Sequence, residues 1–404
     1  MSILTPVKPP YIEYSETASN PLINGDGAQI PVFIGTSNNT GNPSELKVYK
    51  NYTQAKTTVA NGGLGLETET LETDNPLLFE IKQFFIESTG TATNRNDIGV
   101  PRVYAIDLGQ ANAVTNEKIK NALEEIKKVR EIEVVAFVGL EKDLSSAADN
   151  DAKELLIKNQ VALMRMVNTN LVEDTSEGRF KIAYFRSRKG ASDTEIASYS
   201  NTPQTLEKSI NEVRICINEY PLFGKTIARI CTTPYYEEPG YGAYSTVELG
   251  EFTARKPEER QALFDAGIIF GEDEYRLETP VPRICAGTST AFGSDLDERP
   301  NDCLLHARRN ADHQMREILK IIAPQLKRNE TATNILYVEA DCEAYLAREK
   351  DLGRLMDYSI TVEESDSNPY DLLVYASITP VNSTYAIDIS CYVASPYTDA
   401  TDLI

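Results

Sequence analysis

Histidine occurs only twice in the 404 residues, at His306 and His313. That scarcity limits acid–base chemistry near neutral pH and excludes a metal site built on three histidines. The six cysteines, Cys216, Cys231, Cys285, Cys303, Cys342 and Cys391, form no C-x-x-C pair. In a chain this long they read as free thiols of a reducing compartment, not as a disulfide framework or a zinc site. No run approaches 18 consecutive apolar residues, so the sequence offers no membrane-spanning helix. Met1 to Tyr14 contains prolines and no apolar core, unlike a secretory signal. No Walker A loop and no G-x-G-x-x-G fingerprint is present; Gly62-Gly63-Leu64-Gly65 has no strand before it and no Lys-Ser/Thr after it. Basic residues are also short: 40 Lys+Arg face 61 Asp+Glu, a net charge of −21. So acidic a chain repels phosphate backbones, which argues against nucleic-acid binding.

The patterning that is present is α/β. Ile30-Pro31-Val32-Phe33-Ile34-Gly35 is a short apolar run closed by glycine, a buried strand. Pro76 opens a helix whose face carries Leu77, Ile81, Phe84 and Phe85. Val100–Leu108 then reads as a strand, Asn116–Arg130 as a helix striped by Ile119, Leu123, Ile126 and Val129, and Ile132–Gly139 as a strand apolar on both faces. A helix over 148–170, a strand over 180–185, a helix over 202–219 and a strand over 226–231 continue the alternation. That alternation predicts a mainly parallel, doubly wound sheet. Further on come helices at 257–266, 303–322 and 339–349 and a short strand at 282–286. Three alternating strands, 358–363, 372–379 and 385–393, then suggest an α+β C-terminal domain. The expected divisions are an extended arm at 1–29, an α/β domain at 30–256 with room for an inserted subdomain, an α+β domain at 257–383, and a terminal strand and tail at 384–404.

Gly287-Thr288-Ser289-Thr290-Ala291 resembles the nucleophile segment of subtilisin-like proteases. Those enzymes run Asp, His, Ser along the chain, whereas both histidines here follow Ser289. A Gly/Ser/Thr-rich turn is the plainer reading, with a serine hydrolase using Ser289 as the alternative. His306 and His313 lie seven residues apart on one helical face. At 1.5 Å per residue they stand roughly 10 Å apart, too far to share one ion. They are expected to be surface histidines on a polar face.

One charge feature stands out. From His306 to Arg328 six bases (Arg308, Arg309, Arg316, Lys320, Lys327, Arg328) oppose only Asp312 and Glu317, giving +4 and leaving −25 for the rest. The segment is either a solvated helix face or a docking surface for an acidic partner.

Several segments together resemble the contractile tail sheath family of phages, tailocins and related injection systems. They are Pro31 to Thr36 with the following Gly41-Asn42-Pro43, Leu77 to Gly90 before Val103-Tyr104, and Asp371 to Val393 around Ile378-Thr379-Pro380-Val381. The resemblance implies a structural, non-enzymatic subunit with no cofactor and no metal. Its terminal arms would add strands to neighbouring subunits; the matching pieces are Tyr11, Ile12 and Tyr14, and Tyr385, Ile387 and Ile389. A C-terminal-domain helix would face an inner tail tube protein, and the matching residues are Arg308, Arg309, Arg316 and Lys320. The implied partners are further copies of the chain, the tube, and baseplate and tail terminator proteins, with no nucleic acid and no membrane insertion. The implied location is the tail of a virion or contractile particle, assembled in the host cytoplasm. The remaining alternative is another virion or baseplate structural protein.

Overall fold

A computed structural model describes residues 29–39, 45–88, 102–141, 148–197, 214–220, 222–241, 244, 255–276, 279–284, 287, 304–325, 332–364 and 372–381. Strands β1 (Ile30–Gly35), β2 (Lys47–Tyr49), β3 (Val103–Asp107), β4 (Ile132–Val138), β5 (Ile182–Arg186), β6 (Ile215–Asn218) and β7 (Ile268–Ile269) make one sheet in the order β2-β3-β1-β4-β5-β6-β7. Every neighbouring pair is parallel except β2 with β3. Strand β1 is buried at all six positions because both of its faces are covered.

Successive side chains of a strand point to opposite faces, and the two layers follow that period. Val32, Ile34, Val135 and Phe137 face a core closed by helices α4 (Asn116–Lys127) and α5 (Asn150–Ser176). Phe137 stacks on Phe185 with ring centroids 4.7 Å apart. Phe33, Val134, Ala136 and Val138 face the other core, against α3 (Pro76–Ser88) and α6 (Phe223–Thr232). Short helices α1 (Tyr52–Ala55) and α2 (Leu71–Asp74) precede α3. Side chains fix several helix starts: Asn75 accepts from the Leu78 amide at 3.0 Å, Thr115 from Lys118 at 3.3 Å and Asp149 from Ala152 at 2.8 Å.

Two expectations are corrected. Residues 226–231, expected as a strand, lie in α6, whose ten residues are all buried. A short apolar run rich in β-branched residues does not separate a buried helix from a buried strand. Within the expected helix 202–219, Ile215–Asn218 instead forms β6, paired in parallel with β5; residues 198–213 lie outside the described residues. The main sheet also includes β7, from beyond residue 256.

After α7 (Pro257–Asp265) and β7, strands β8 (Gly271–Arg276) and β9 (Thr279–Ile284) form an antiparallel hairpin. Helices α8 (Leu305–Ile322) and α9 (Ala332–Asp351) follow, then strands β10 (Leu355–Glu364) and β11 (Leu372–Pro380), an antiparallel pair. A third core joins Ile318 of α8 to Val338, Cys342 and Leu346 of α9 and to Leu355 and Val362 of β10. Leu305, at the other end of α8, belongs to the sheet core. One helix is thus shared by both units. The arm residues Tyr11, Ile12 and Tyr14, the segment Tyr385, Ile387 and Ile389, and Ser289 lie outside the described residues.

Candidate functional site

Helix α8 carries the residues expected to face a tube, and the structure turns most of them inward. Its burial follows from composition along two faces: Leu305, Ala307 and Ile318 supply apolar contact, while His306, Arg309, Asn310, Asp312 and Gln314 are buried polar residues. Buried polar groups must be hydrogen-bonded or paired, and here they are. Arg214, at the entry to β6, grips Asp312 with two bonds, Nη1 to Oδ2 at 2.8 Å and Nη2 to Oδ1 at 3.1 Å. Arg308, four residues before Asp312, adds Nε at 3.0 Å and Nη2 at 2.7 Å. Burial acts to raise the Asp312 carboxyl, but the two guanidiniums outweigh it and hold its pKa down to about 2.

Arg309 is 0% exposed. Its Nη2 donates to the carbonyls of Ile230 at 2.9 Å and Thr233 at 2.5 Å, at the C-terminus of α6, and Nε donates to Gln29 Oε1 at 2.9 Å. Burial pushes its pKa down from the usual guanidinium value. Arg316 pairs with Glu133 on β4. Of the four expected tube-facing residues, Arg309 lies inside the subunit, surrounded by carbonyl acceptors. Arg308 and Arg316 are mostly covered, with side chains 17% and 16% exposed. Lys320, paired with Glu317 one turn away at 2.6 Å, remains 67% exposed.

Both histidines depart from the expected surface position, His306 as an interior residue and His313 as a partly covered one. His306 is buried and its Nδ1 lies 3.0 Å from Glu238. The His313 ring stacks on Tyr235 with centroids 3.6 Å apart at 12°. Burial, with the nearby cations Arg316, Lys320 and Arg354, pushes its pKa down to about 3. Around that stack the C-terminal unit is tied to α8. Tyr235 Oη donates to Glu349 at 2.5 Å, Gln314 donates to Glu349 at 3.2 Å, Tyr345 donates to Gln314 at 2.6 Å, and Asn310 donates to the Arg354 carbonyl at 2.7 Å.

This environment predicts a pH dependence. An unfolded His313 takes up its proton near pH 6.5, the folded one only near pH 3, so stability is full above about pH 6.5 and falls as pH drops towards 3. At about 1.4 kcal/mol per pH unit, the loss from this residue between pH 7.5 and 4.5 is roughly 2–3 kcal/mol. His313→Phe keeps a ring on Tyr235 and removes the proton uptake. Urea midpoints of the variant are expected to fall less over that range than those of the wild type; parallel curves would exclude His313 as the source.

The second candidate surface is the β10–β11 hairpin. Tyr358, Ile360, Val374, Ala376 and Ile378 pack towards α9. The opposite face shows Ser359, Thr361, Ser377 and Thr379 around an exposed Tyr375. Among the described residues each strand pairs only with the other, so both outer edges lack a partner strand. A cavity of about 540 Å³ beside β10 is lined by Glu339, Glu343, Asp351 and Asp357, with Lys350 bonded to Asp357 at 2.9 Å.

The interior network of Arg214, Tyr235, Gln314, Glu349 and Arg354 is absent from the sequence reading. Only the Arg308–Asp312 spacing could have signalled part of it, as an acid one turn from a base. Cys216, Cys231 and Cys342 are buried free thiols, as expected for those three. Among the described residues no three His, Cys, Asp or Glu side chains are placed to hold a metal, and no helix is long and apolar enough to cross a membrane.

No protein-family model and no curated protein sequence matches the chain. Solved structures do. A chain from the anti-feeding prophage baseplate superposes with a TM-score of 0.61 at 13% identity, over 97% of this chain and 100% of that one. A chain of the contracted PVC sheath complex, from an extracellular contractile injection system, gives 0.59 at 10% identity over 99% and 100%. A sheath tail protein of Listeria innocua gives 0.50 at 9% identity over 88% and 93%. At these identities what is shared is the fold, with nearly the whole of each chain covered.

Proposed function

We propose that the chain is the repeating subunit of a contractile tail sheath, a structural protein that polymerises helically around an inner tube and contracts to drive it through an envelope. The observation that carries this reading is the two-stranded C-terminal hairpin, with no third strand on either edge among the described residues, within a fold shared over its length with sheath proteins. Open strand edges recruit further strands. The segments 11–14 and 385–389 are the strands proposed to complete it in neighbouring copies, by backbone hydrogen bonds that require little sequence complementarity. Such contacts are heterologous and generate helical tubes instead of closed pairs.

The tube contact narrows to the part of the C-terminal unit that faces outward. Lys320 stays exposed on α8, and Leu336 and Tyr337 are exposed on α9, at 64% and 63%. Exposed ion pairs contribute about 0–1 kcal/mol each, so a contact of this kind can be released on contraction. Tube, baseplate and terminator proteins are the partners this reading requires, and the tail of a contractile particle is its place. No step of it needs a cofactor or catalysis.

Negative-stain imaging of the purified chain is expected to show tubes or stacked rings. Removal of residues 1–20 is expected to abolish them and to leave the thermal transition of the core within a few degrees. Tubes formed by the truncated chain would overturn strand exchange by this arm, and strictly monomeric wild-type protein would overturn the sheath reading. The likeness to a baseplate chain favours a second reading as a baseplate component, distinguished by single closed rings in place of extended tubes.

A further inference from the structure

The chain enters β1 through Gln29, which is 3% exposed and held at two points. Its amide donates to the Cys231 carbonyl at 3.0 Å, and its Oε1 accepts from Arg309 Nε at 2.9 Å. The rest of the guanidinium is spread over the end of α6: Nη2 to Ile230 and Thr233, and Nη1 to the Glu237 carbonyl at 3.4 Å. All these acceptors are neutral oxygens. The carbonyls at a helix C-terminus carry partial negative charge, which offsets part of the cost of burying the cation. The planar fork of an arginine can hold several acceptors in fixed directions, as an ammonium cannot. Four pieces of chain therefore meet at one side chain: the entry to β1, the end of α6, the loop after it, and α8. Packing alone would need none of this, since an apolar residue could fill the same place without desolvating a charge.

We infer that Arg309 is the positioning residue of the N-terminal arm. It fixes the point and direction from which the chain departs at Gln29, and it delivers tension on the arm to α8, and through α8 to the C-terminal unit, instead of to the free end of β1. This rests on the proposed role of residues 1–29 as an inter-subunit arm. It moves Arg309 from a partner-facing role to one inside the subunit that governs where the neighbour's strand arrives.

The test uses the full-length chain with Gln29→Ala and, separately, Arg309→Lys. A control, Ile126→Val on the distant α4, costs about 1 kcal/mol without touching the root. Two quantities are measured: hydrogen exchange of the amides at 29–32, and the critical concentration for polymer formation. One charge-assisted hydrogen bond is of the size that changes an equilibrium constant about tenfold. Gln29→Ala is therefore expected to speed exchange at the root and to raise the critical concentration by about that factor, while the control with a similar thermal midpoint does neither. Exchange at the wild-type rate would overturn the clamp, and faster exchange with an unchanged critical concentration would overturn its role in assembly. Should Arg309→Lys fail to fold, Gln29→Ala decides alone. A wild-type chain that forms no polymer would defeat the sheath reading and with it the assembly role, while the exchange measurement would still decide whether Arg309 holds the root.

Discussion

Asp312→Ala is expected to lower the unfolding free energy by roughly 3–5 kcal/mol and the thermal midpoint by about 10 °C. The reason is the geometry of what remains. Arg214 has a side chain that is 0% exposed, and the substitution takes away the carboxylate that accepts two of its hydrogen bonds. It cannot turn to water, so a buried cation loses its counter-ion in the core. Arg308 is partly exposed and can swing outward, so little of the loss belongs to it. The interpretation has an internal control. Arg214→Met combined with Asp312→Leu removes both charges and keeps the volume, and is expected to recover at least about 2 kcal/mol relative to Asp312→Ala. Urea unfolding of the three variants separates the cases: a double variant no better than Asp312→Ala would place the loss in packing, not in the orphaned cation.

Gly224→Val should be comparably damaging. Helices α3 and α6 cross with their backbones touching, and a Cβ placed on Gly224 would lie 2.2 Å from the Glu80 carbonyl oxygen and 3.0 Å from Gln83 Cβ. The obstacle is backbone, which cannot rotate aside. The crossing is further fixed by the Gly224 amide, which donates to Glu80 Oε2 at 2.7 Å, and by Arg186, which pairs with Glu80 and Glu141. Pushing the helices apart would open that buried group of charges, so a loss above about 3 kcal/mol and a several-fold drop in soluble yield are expected. Gly353 makes the contrast. Its φ is +70° and a Cβ there meets nothing within 4 Å. Gly353→Ala should cost only the left-handed backbone preference, about 1 kcal/mol. Similar losses at the two sites would exclude the helix crossing as the cause.

Periodicity revealed what depends on periodicity. Strands β1 and β4 announced themselves as apolar runs, and α3 and α4 as 3.6-residue stripes; Leu77, Ile81, Phe84, Ile119, Leu123 and Ile126 are all buried where those stripes placed them. Of the segments likened to sheath proteins, 31–36, 77–90 and 371–393, the described parts fall on β1, α3 and β11, and the likeness in fold agrees with them. The six residues from Thr226 to Cys231 are too short a window to show helical spacing. Over the whole of α6, Phe223, Ile227, Ile230 and Cys231 recur at that spacing opposite Lys225, Arg229 and Thr232, although all ten residues are buried. In the basic segment, composition counts charges and does not say which way they point. Arg308, Arg309 and Arg316 looked like a surface because they outnumbered the acids nearby in sequence. Their partners Glu133 and Arg214's shared Asp312, and the carbonyls of α6, come from elements distant in the chain or from an acid counted as a minority. Nothing local in the sequence marks such pairings.

The sharing of α8 between two cores bears on how the C-terminal unit could be transplanted. A cut at Ala332 would take α9 and the hairpin but leave Ile318 behind, uncovering part of the layer formed with Val338, Cys342 and Leu346. It would also strand Glu349 without Gln314 and the Arg354 carbonyl without Asn310. The smallest graftable module that keeps the hairpin's inner face covered therefore begins at Leu304. Such a module would bring Arg309 into its new host without its carbonyls and Asp312 without Arg214, so the host must supply a carbonyl rim and an arginine, or the donor must first exchange both residues for apolar ones.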